Sequence, residues 1–256
     1  MRRLQWTAFC ALALLLFSAM PVGAFELGVR GYYWFPGFKA DIKSDSGGVS
    51  GTDIDLKNTL GIGTEVFPSV EVFGGLGRHH LGFSYTPIGY SGSTTLVTKI
   101  VYNGRTFLAG TNVDSELKLR MFDLEYRFTL LDTENILAGC SLDVIGQIKY
   151  IDGEAKINAP SINSWAAATV RAPIPMVGIG AHIGLLLDIL EARVKMTGIS
   201  YSGNYLYEGL ADLSLTPFPF LDLHGGYKVI RVHLDRDDFY LNSEFAGPYV
   251  ALTVSF

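Results

Sequence analysis

The sequence predicts an all-β fold: an antiparallel up-and-down barrel of about ten strands that spans a membrane. Three observations carry this reading. Apolar residues recur at every second position in one segment after another. The chain is 48% hydrophobic, yet beyond residue 24 no run reaches the length of a spanning helix. The connections between the alternating segments are tight and long in turn. A spanning chain must pair every backbone polar group internally, so without a helix only a closed barrel remains. The longest apolar run, APIPMVGIGAHIGLLL at 172–187, carries two prolines, three glycines and a histidine, which suits neither a helix nor a span.

The alternation is explicit. In DLEYRFTLL (123–131), Leu124, Tyr126, Phe128 and Leu130 oppose Asp123, Glu125, Arg127 and Thr129. In ILAGCSLDVIGQIKY (136–150), Cys140, Leu142, Val144, Ile148 and Tyr150 oppose Ser141, Asp143, Gln147 and Lys149. EARVKMTG (191–198) sets Ala192, Val194 and Met196 against Glu191, Arg193, Lys195 and Thr197. In FLDLHGGYKV (220–229), Leu221, Leu223, Tyr227 and Val229 oppose Asp222, His224, Gly226 and Lys228. A period of two is the strand period.

Ten strands follow, at 25–36, 64–75, 78–91, 113–131, 135–154, 167–187, 190–200, 206–216, 219–234 and 246–256. Connections near 76–77, 132–134, 188–189 and 217–218 are tight. Those at 37–63, 92–112, 155–166, 201–205 and 235–245 are mostly longer and rich in Gly, Ser, Asp and Asn. Short turns at the end that carries both termini and long loops at the other are a barrel pattern. Eight or twelve strands stay open, because Asn103-Gly104 in the 92–112 segment is a hairpin signal, placed above the membrane. The last strand, GPYVALTVSF (247–256), alternates Val250, Leu252, Val254 and Phe256 with Tyr249, Ala251, Thr253 and Ser255. It is expected to close the barrel against the first.

Residues 1–24 read as a signal peptide: Arg2 and Arg3, an apolar run around ALALLLF, then Val22-Gly23-Ala24, with cleavage expected near Ala24. The barrel domain is then 25–256. Removing Arg2 and Arg3 takes the formal charge from −5 to −7, which argues against nucleic acid as a partner. Cys140 is the cysteine left, so no intramolecular disulfide is expected. Its lipid-facing parity makes it inert.

The terminal Phe256, with apolar residues at alternate positions before it, resembles the carboxy-terminal signal that the barrel assembly machinery reads in bacterial outer-membrane proteins. The chain resembles a group of small outer-membrane β-barrel proteins, on the stretches GVRGYYWFPGF and GYKVIRVHLDRDDF. The resemblance implies a Gram-negative outer-membrane location, lipid and lipopolysaccharide as surroundings, and the assembly machinery as partner. It carries no active site.

Strand parity gives a lumenal charged network: Glu26, Arg30, Glu71, Asp123, Glu125, Arg127, Asp143, Lys149, Glu191, Arg193, Lys195, Asp212, Asp222, His224 and Lys228. Both signs occur, as in crossing ion pairs that fill a narrow barrel; a small polar pore or a ligand slot is the sharper alternative. Gly178, Gly180 and Gly184 share lumenal parity with His182 and leave room for long side chains opposite. No Cys/His spacing suggests a metal, and neither a cofactor nor a catalytic residue is expected. His79-His80 fall at a tight turn. Tyr32, Tyr33, Trp34 and Phe35 read as an interfacial aromatic cluster. The function expected is structural or a small-solute permeability role. The alternatives are a barrel binding ligands or surfaces through loops 37–63 and 92–112, and an outer-rim hydrolase using His233 and Asp235 beside Asp237 and Asp238. Against the hydrolase, His233 shares parity with lipid-facing Tyr227 and Val229.

Overall fold

The computed structural model describes residues 25–45, 48, 50–60, 66–133, 139–186, 189–236 and 239–256. The predicted leader, residues 1–24, lies outside them, as do Asp237 and Asp238.

The elements are β1 (Phe25–Trp34), β2 (Gly37–Ser44), β3 (Ile54–Asp55), α1 (Leu56–Leu60), β4 (Phe67–Leu76), β5 (His79–Thr95), β6 (Ile100–Tyr102), β7 (Arg105–Phe107), β8 (Asn112–Asp132), β9 (Cys140–Ala159), β10 (Ser164–Leu186), β11 (Leu190–Tyr201), β12 (Asn204–Phe218), β13 (Leu221–Arg236) and β14 (Phe239–Ser255). Antiparallel pairing runs β4–β5–β8 and on through β14 in order, β6 and β7 form a separate two-stranded hairpin, and β1 pairs with both β4 and β14. The sheet therefore closes. β1 and β2 form one stave: Trp34 pairs with Tyr249 and Gly37 with Ala246, so Phe35-Pro36 interrupts the strand without shifting its register. Ten staves make the wall.

The wall is longer than its sequence suggests. The first stave continues past 36 to Ser44, and β9 and β10 run to Ala159 and from Ser164. The expected loop at 201–205 is a two-residue turn, Ser202-Gly203, both at positive φ (50° and 82°). These ends carry charged outward residues, which look like loop when the only template is a lipid-facing strand. Here they are wall that rises beyond the lipid.

Outward side chains near the termini form the apolar band. Leu27, Val29, Val72, Phe83, Leu124, Val144, Ile148, Ile179, Val194, Leu213, Leu223 and Leu252 all point out and are exposed. On β9 the band runs from Leu142 to Tyr150, and the outward residue above it is Asp152. Leu142 to Asp152 is about 33 Å along a strand and about 25 Å of height at a tilt of ~40°, close to a bilayer core. Aromatic rings edge both margins. At the near end, which carries the termini, Phe220 stacks on Phe256 at 5.5 Å. At the far margin Tyr85, Phe122 and Tyr150 line up, with centroids 4.8 and 6.3 Å apart.

The far half of the lumen holds an apolar core, and this corrects the expectation for both long segments. The described residues of 37–63 and 92–112 are not merely polar loop. Phe38, Ala40 and Ile42 of β2, Ile54 of β3, and Leu56 and Leu60 of α1 are buried inward. Asn103-Gly104 does turn a hairpin, at φ 45° and 72°, joining β6 to β7. It folds into the barrel mouth, where Ile100, Tyr102 and Phe107 are buried. Thr52 N–H donates to the Val101 carbonyl at 2.7 Å, and the Asn103 side chain donates to the Ala167 carbonyl at 2.7 Å. The Tyr102 hydroxyl donates to the Ala155 carbonyl at 3.4 Å, and burial raises its pKa, keeping it a neutral donor. Phe38 stacks on Tyr90 (4.7 Å), and Phe67 meets Tyr90 edge-on (5.1 Å).

Phe107 is 0% exposed and Val97, on the same segment, 91%. Phe107→Ala should therefore cost about 3–5 kcal/mol through the cavity it leaves. Val97→Ser should be neutral. Urea unfolding of the protein in lipid vesicles, read by heat-modifiable gel mobility, checks both.

Candidate functional site

The inward parity of the near half builds a polar chamber. On the staves that carry lumenal charges, the outward neighbours are mostly aliphatic or aromatic residues that seek lipid, as Leu124 and Tyr126 flank Glu125 and Val194 and Met196 flank Lys195, so the charge turns inward. The chamber holds about 620 Å³. It reaches from Trp34, Tyr249 and Lys228 at mid-barrel to Gly77, Arg78, Asp222 and Ser255 at the near end.

Of the residues read from sequence, Glu26, Arg30, Glu71, Asp123, Glu125, Arg127, Asp143, Glu191, Arg193, Lys195, Asp222, His224 and Lys228 line this chamber. Lys149 and Asp212 sit deeper in its wall, buried. The structure brings them together as linked pairs. Lys149, 0% exposed, bonds Asp123 at 2.5 Å and Glu208 at 2.9 Å. Glu208 also takes Lys228 at 3.0 Å. Gln147 donates to Asp123 and accepts from Thr197, both at 2.8 Å. Arg30 meets Glu71 at 3.0 Å, and the Tyr32 hydroxyl donates to the same carboxylate at 3.1 Å. Arg193 pairs with Asp212 at 2.6 Å, which also accepts from Tyr249. Lys195 reaches across the lumen to Glu125 at 2.7 Å. Nearer the end, His80 stands 3.5 Å from Glu26, His182 3.0 Å from Glu191, and Arg127 4.0 Å from Asp143.

The glycines of β10 behave as room-makers. A Cβ on Gly178 would run into the Met196 carbonyl and Thr197, so its absence lets β11 approach. Gly180 faces Asp143.

Sequence reasoning missed Glu208, Asp132, Arg78 and His80 as chamber residues. Glu208 shares the parity of Asp212 and was readable. Asp132 was not, because a bulge between Thr129 and Leu131 inverts the parity beyond it. His80 was assigned to a turn, but β5 starts at His79, so the pair divides: His79 bonds the Tyr126 hydroxyl (2.7 Å) and His80 faces the lumen. The cluster Tyr32–Phe35 divides likewise. Tyr33 and Phe35 are exposed outward. Trp34 is buried in the lumen, where its indole donates to the Gly247 carbonyl at 3.2 Å and Lys228 lies 5.4 Å over its ring.

Two arrangements bear on catalysis. His233 is packed between Tyr205 and Tyr240 (5.2 and 5.6 Å) on the outer face, and the Asp235 amide donates to Asn204. The ring thus packs against outer-face tyrosines and does not face the lumen. In the lumen, His224 Nε2 lies 2.8 Å from the Thr253 hydroxyl, with Nδ1 3.8 Å from Asp212. The hydroxyl also accepts from Arg30 Nε at 2.8 Å, so it serves as a link in the network. Among the described residues, no group of three or more His, Cys, Asp or Glu could hold a metal ion.

Lys149→Met leaves the Asp123 and Glu208 carboxylates buried without their shared cation, so it should destabilise the barrel by about 3–5 kcal/mol. Adding Asp123→Asn and Glu208→Gln should restore much of the loss. Urea midpoints in vesicles for the single and triple variants measure this.

No family model matches the chain, and no curated protein matches it. Solved structures do. The outer membrane protease OmpT from Escherichia coli aligns at TM-score 0.56 and 8% identity, over 91% of this chain and 98% of that one. The translocator domain of the autotransporter NalP from Neisseria meningitidis aligns at TM-score 0.43 and 9% identity, over 100% and 96%. Ail, the attachment invasion locus protein of Yersinia pestis, aligns at 0.40 and 10%, over 91% and 99%. At 8% identity the likeness to OmpT is one of architecture. By the closed ten-stave wall, the apolar band and the OmpT alignment, the chain has the fold of the bacterial outer-membrane β-barrel proteins.

Proposed function

We propose that this protein is a closed barrel of the outer membrane, with a structural role and at most restricted passage of small solutes. One observation carries this: the apolar core of the far half lies across the lumen above the charged chamber. Trp34, Phe38, Phe67, Tyr90, Phe107 and Phe245 are all buried there. Ions do not cross such a layer without losing their hydration. Below it, the charges are spent on one another rather than presented along a path. Phe38, Ile42, Ile54, Leu56, Ile100, Tyr102 and Phe107 of segments 37–63 and 92–112 turn inward, while Val97 and Leu108 stand exposed, so most of the described apolar side chains of these segments are used inside the barrel and not on a loop-borne binding surface. The outer-face packing of His233 argues against a rim hydrolase.

In this reading the near end, with its short turns and both termini, faces the periplasm and the far end faces outward. Phe256 ends the closing stave at the periplasmic margin, where the assembly machinery would meet it.

Residues 25–256, refolded and inserted in a planar bilayer, should give no stable conductance. Discrete ion-selective channels from the intact chain would overturn the closed reading. Leu96 N–H donates to the Thr111 carbonyl at 2.9 Å. Replacing 97–110 by Asn-Gly therefore keeps a two-residue hairpin and removes the β6–β7 part of the plug, and conductance should appear. Orientation is checked separately. Val97→Cys on a Cys140→Ser background should react with a membrane-impermeant maleimide on intact cells, and a protected cysteine would reverse the assignment.

A further inference from the structure

The outward face of β5, β8, β9 and β10 changes character in three successive rows. Tyr85, Phe122, Tyr150 and Pro173 are register partners across the four strands, and the first three form the aromatic margin of the apolar band. One step further out, the row reads Pro87, Arg120, Asp152, Arg171. The next reads Gly89, Lys118, Glu154, Thr169. Row two begins about 25 Å above Leu142, which is where hydrocarbon gives way to headgroups.

A groove of about 610 Å³ crosses these rows. Its β4–β5 side is apolar and flat. The β4–β5 ladder ends at the pair Val70–Tyr85, just short of Pro68 and Pro87, which have no N–H to extend it. Val66, Phe67, Pro68, Tyr85 and Pro87 line that side, and Gly89 leaves open space where a side chain would stand. The β8–β10 side is cationic. Asp152 accepts from Arg120 at 2.5 Å and from Arg171 at 3.0 Å, so one carboxylate fixes two guanidinium groups. The Arg120 and Arg171 side chains remain 57% and 69% exposed, which leaves guanidinium surface open beyond the bonds to Asp152. Lys118 is held by Glu116 at 2.6 Å, and Glu154 is its register partner, so the two guanidiniums supply the surplus donors.

We propose that this groove is a binding site for a phosphorylated lipid of the outer leaflet. Arg120 and Arg171 would take the phosphate, and an acyl chain would lie along Pro87, Gly89 and Val66 before passing Tyr85 into the bilayer. A guanidinium pair held in place meets phosphate oxygens through directed, charge-assisted bonds, and the cost of ordering it is already met by Asp152. An amphipathic groove at the boundary between apolar and polar wall suits a molecule with the same division. The site rests on the reading that the far end meets the outer leaflet. Its test is made in detergent, independent of orientation, so that failure of one is distinguishable from failure of the other.

The measurement is native mass spectrometry of the full barrel, residues 25–256, in detergent. The probes are diphosphorylated lipid A and the same lipid stripped of phosphate. The intact protein should retain one diphosphorylated lipid and lose the stripped one. Arg120→Gln with Arg171→Gln should reduce retention about tenfold or more. Gly89→Leu, which has space for its side chain but fills the groove, should reduce it with both arginines present. Lys39→Gln, an outward cation on β2, should change nothing. Heat-modifiable mobility confirms that each variant is folded. Equal retention by intact protein and double variant, or of both lipids, overturns the site. Inorganic phosphate alone should leave the mass unchanged, and a phosphate adduct lost in the double variant would overturn the lipid assignment in favour of free phosphate.

Discussion

Closure of the backbone ladder is the constraint on which everything else in this molecule rests. In hydrocarbon an unpaired N–H or C=O costs several kcal/mol, and an open edge would present a row of them. The chain meets this by joining its first and last staves. Gly28 through Trp34 register with Ser255 through Tyr249, and Leu27 and Phe256 exchange hydrogen bonds of 2.9 and 2.8 Å. With the edge gone, the wall is free to be greasy outside and charged inside. Irregularities sit where closure tolerates them. The bulges near Leu130 and Leu185 and the register shift between Leu215 and Phe218 all lie at the near end, beside the turns.

Inside the closed wall the lumen solves two different problems. A polar lumen at membrane depth holds charges that are expensive unless each is paired and hydrogen-bonded. The near half answers with a continuous set of pairs, in which Lys149, Asp212 and Glu208 each serve more than one partner. The far half has no membrane to span. There the staves run on past the lipid and need an interior of their own, and β2, β3, α1 and the β6–β7 hairpin supply it with aromatic and aliphatic side chains. Closed wall and apolar far half together give the protein a core of the ordinary kind, stacked on a charged one.

The outer surface follows the same vertical logic. Aliphatic rows give way to an aromatic row, then to arginines and acids. Each change marks a change of solvent, from hydrocarbon through interface to headgroup. The groove over β5 and β8–β10 lies at the last of these boundaries, and the prolines that end the β4–β5 ladder shape its apolar side.

Much of this was legible in the residues, and the reason is periodicity. Strict alternation in DLEYRFTLL or EARVKMTG assigns each side chain to wall or lumen without any knowledge of its neighbours. Of the fifteen lumenal charges read that way, thirteen line the chamber and two, Lys149 and Asp212, are buried in its wall, and Asn103-Gly104 turns a hairpin as its own chemistry suggests. What alternation does not contain is height and direction across the barrel. It could not tell that Asp132 would rejoin the lumen beyond a bulge, or that Lys195 and Glu125 would meet across it. Least of all could it show that the two Gly- and Ser-rich segments would fold back into the mouth, because Phe38, Ile54 and Phe107 are brought together only by the curvature of the closed wall. Local sequence determined which face each residue takes; closure of the barrel decided which residues meet, because contacts across a lumen depend on the register of all ten staves at once.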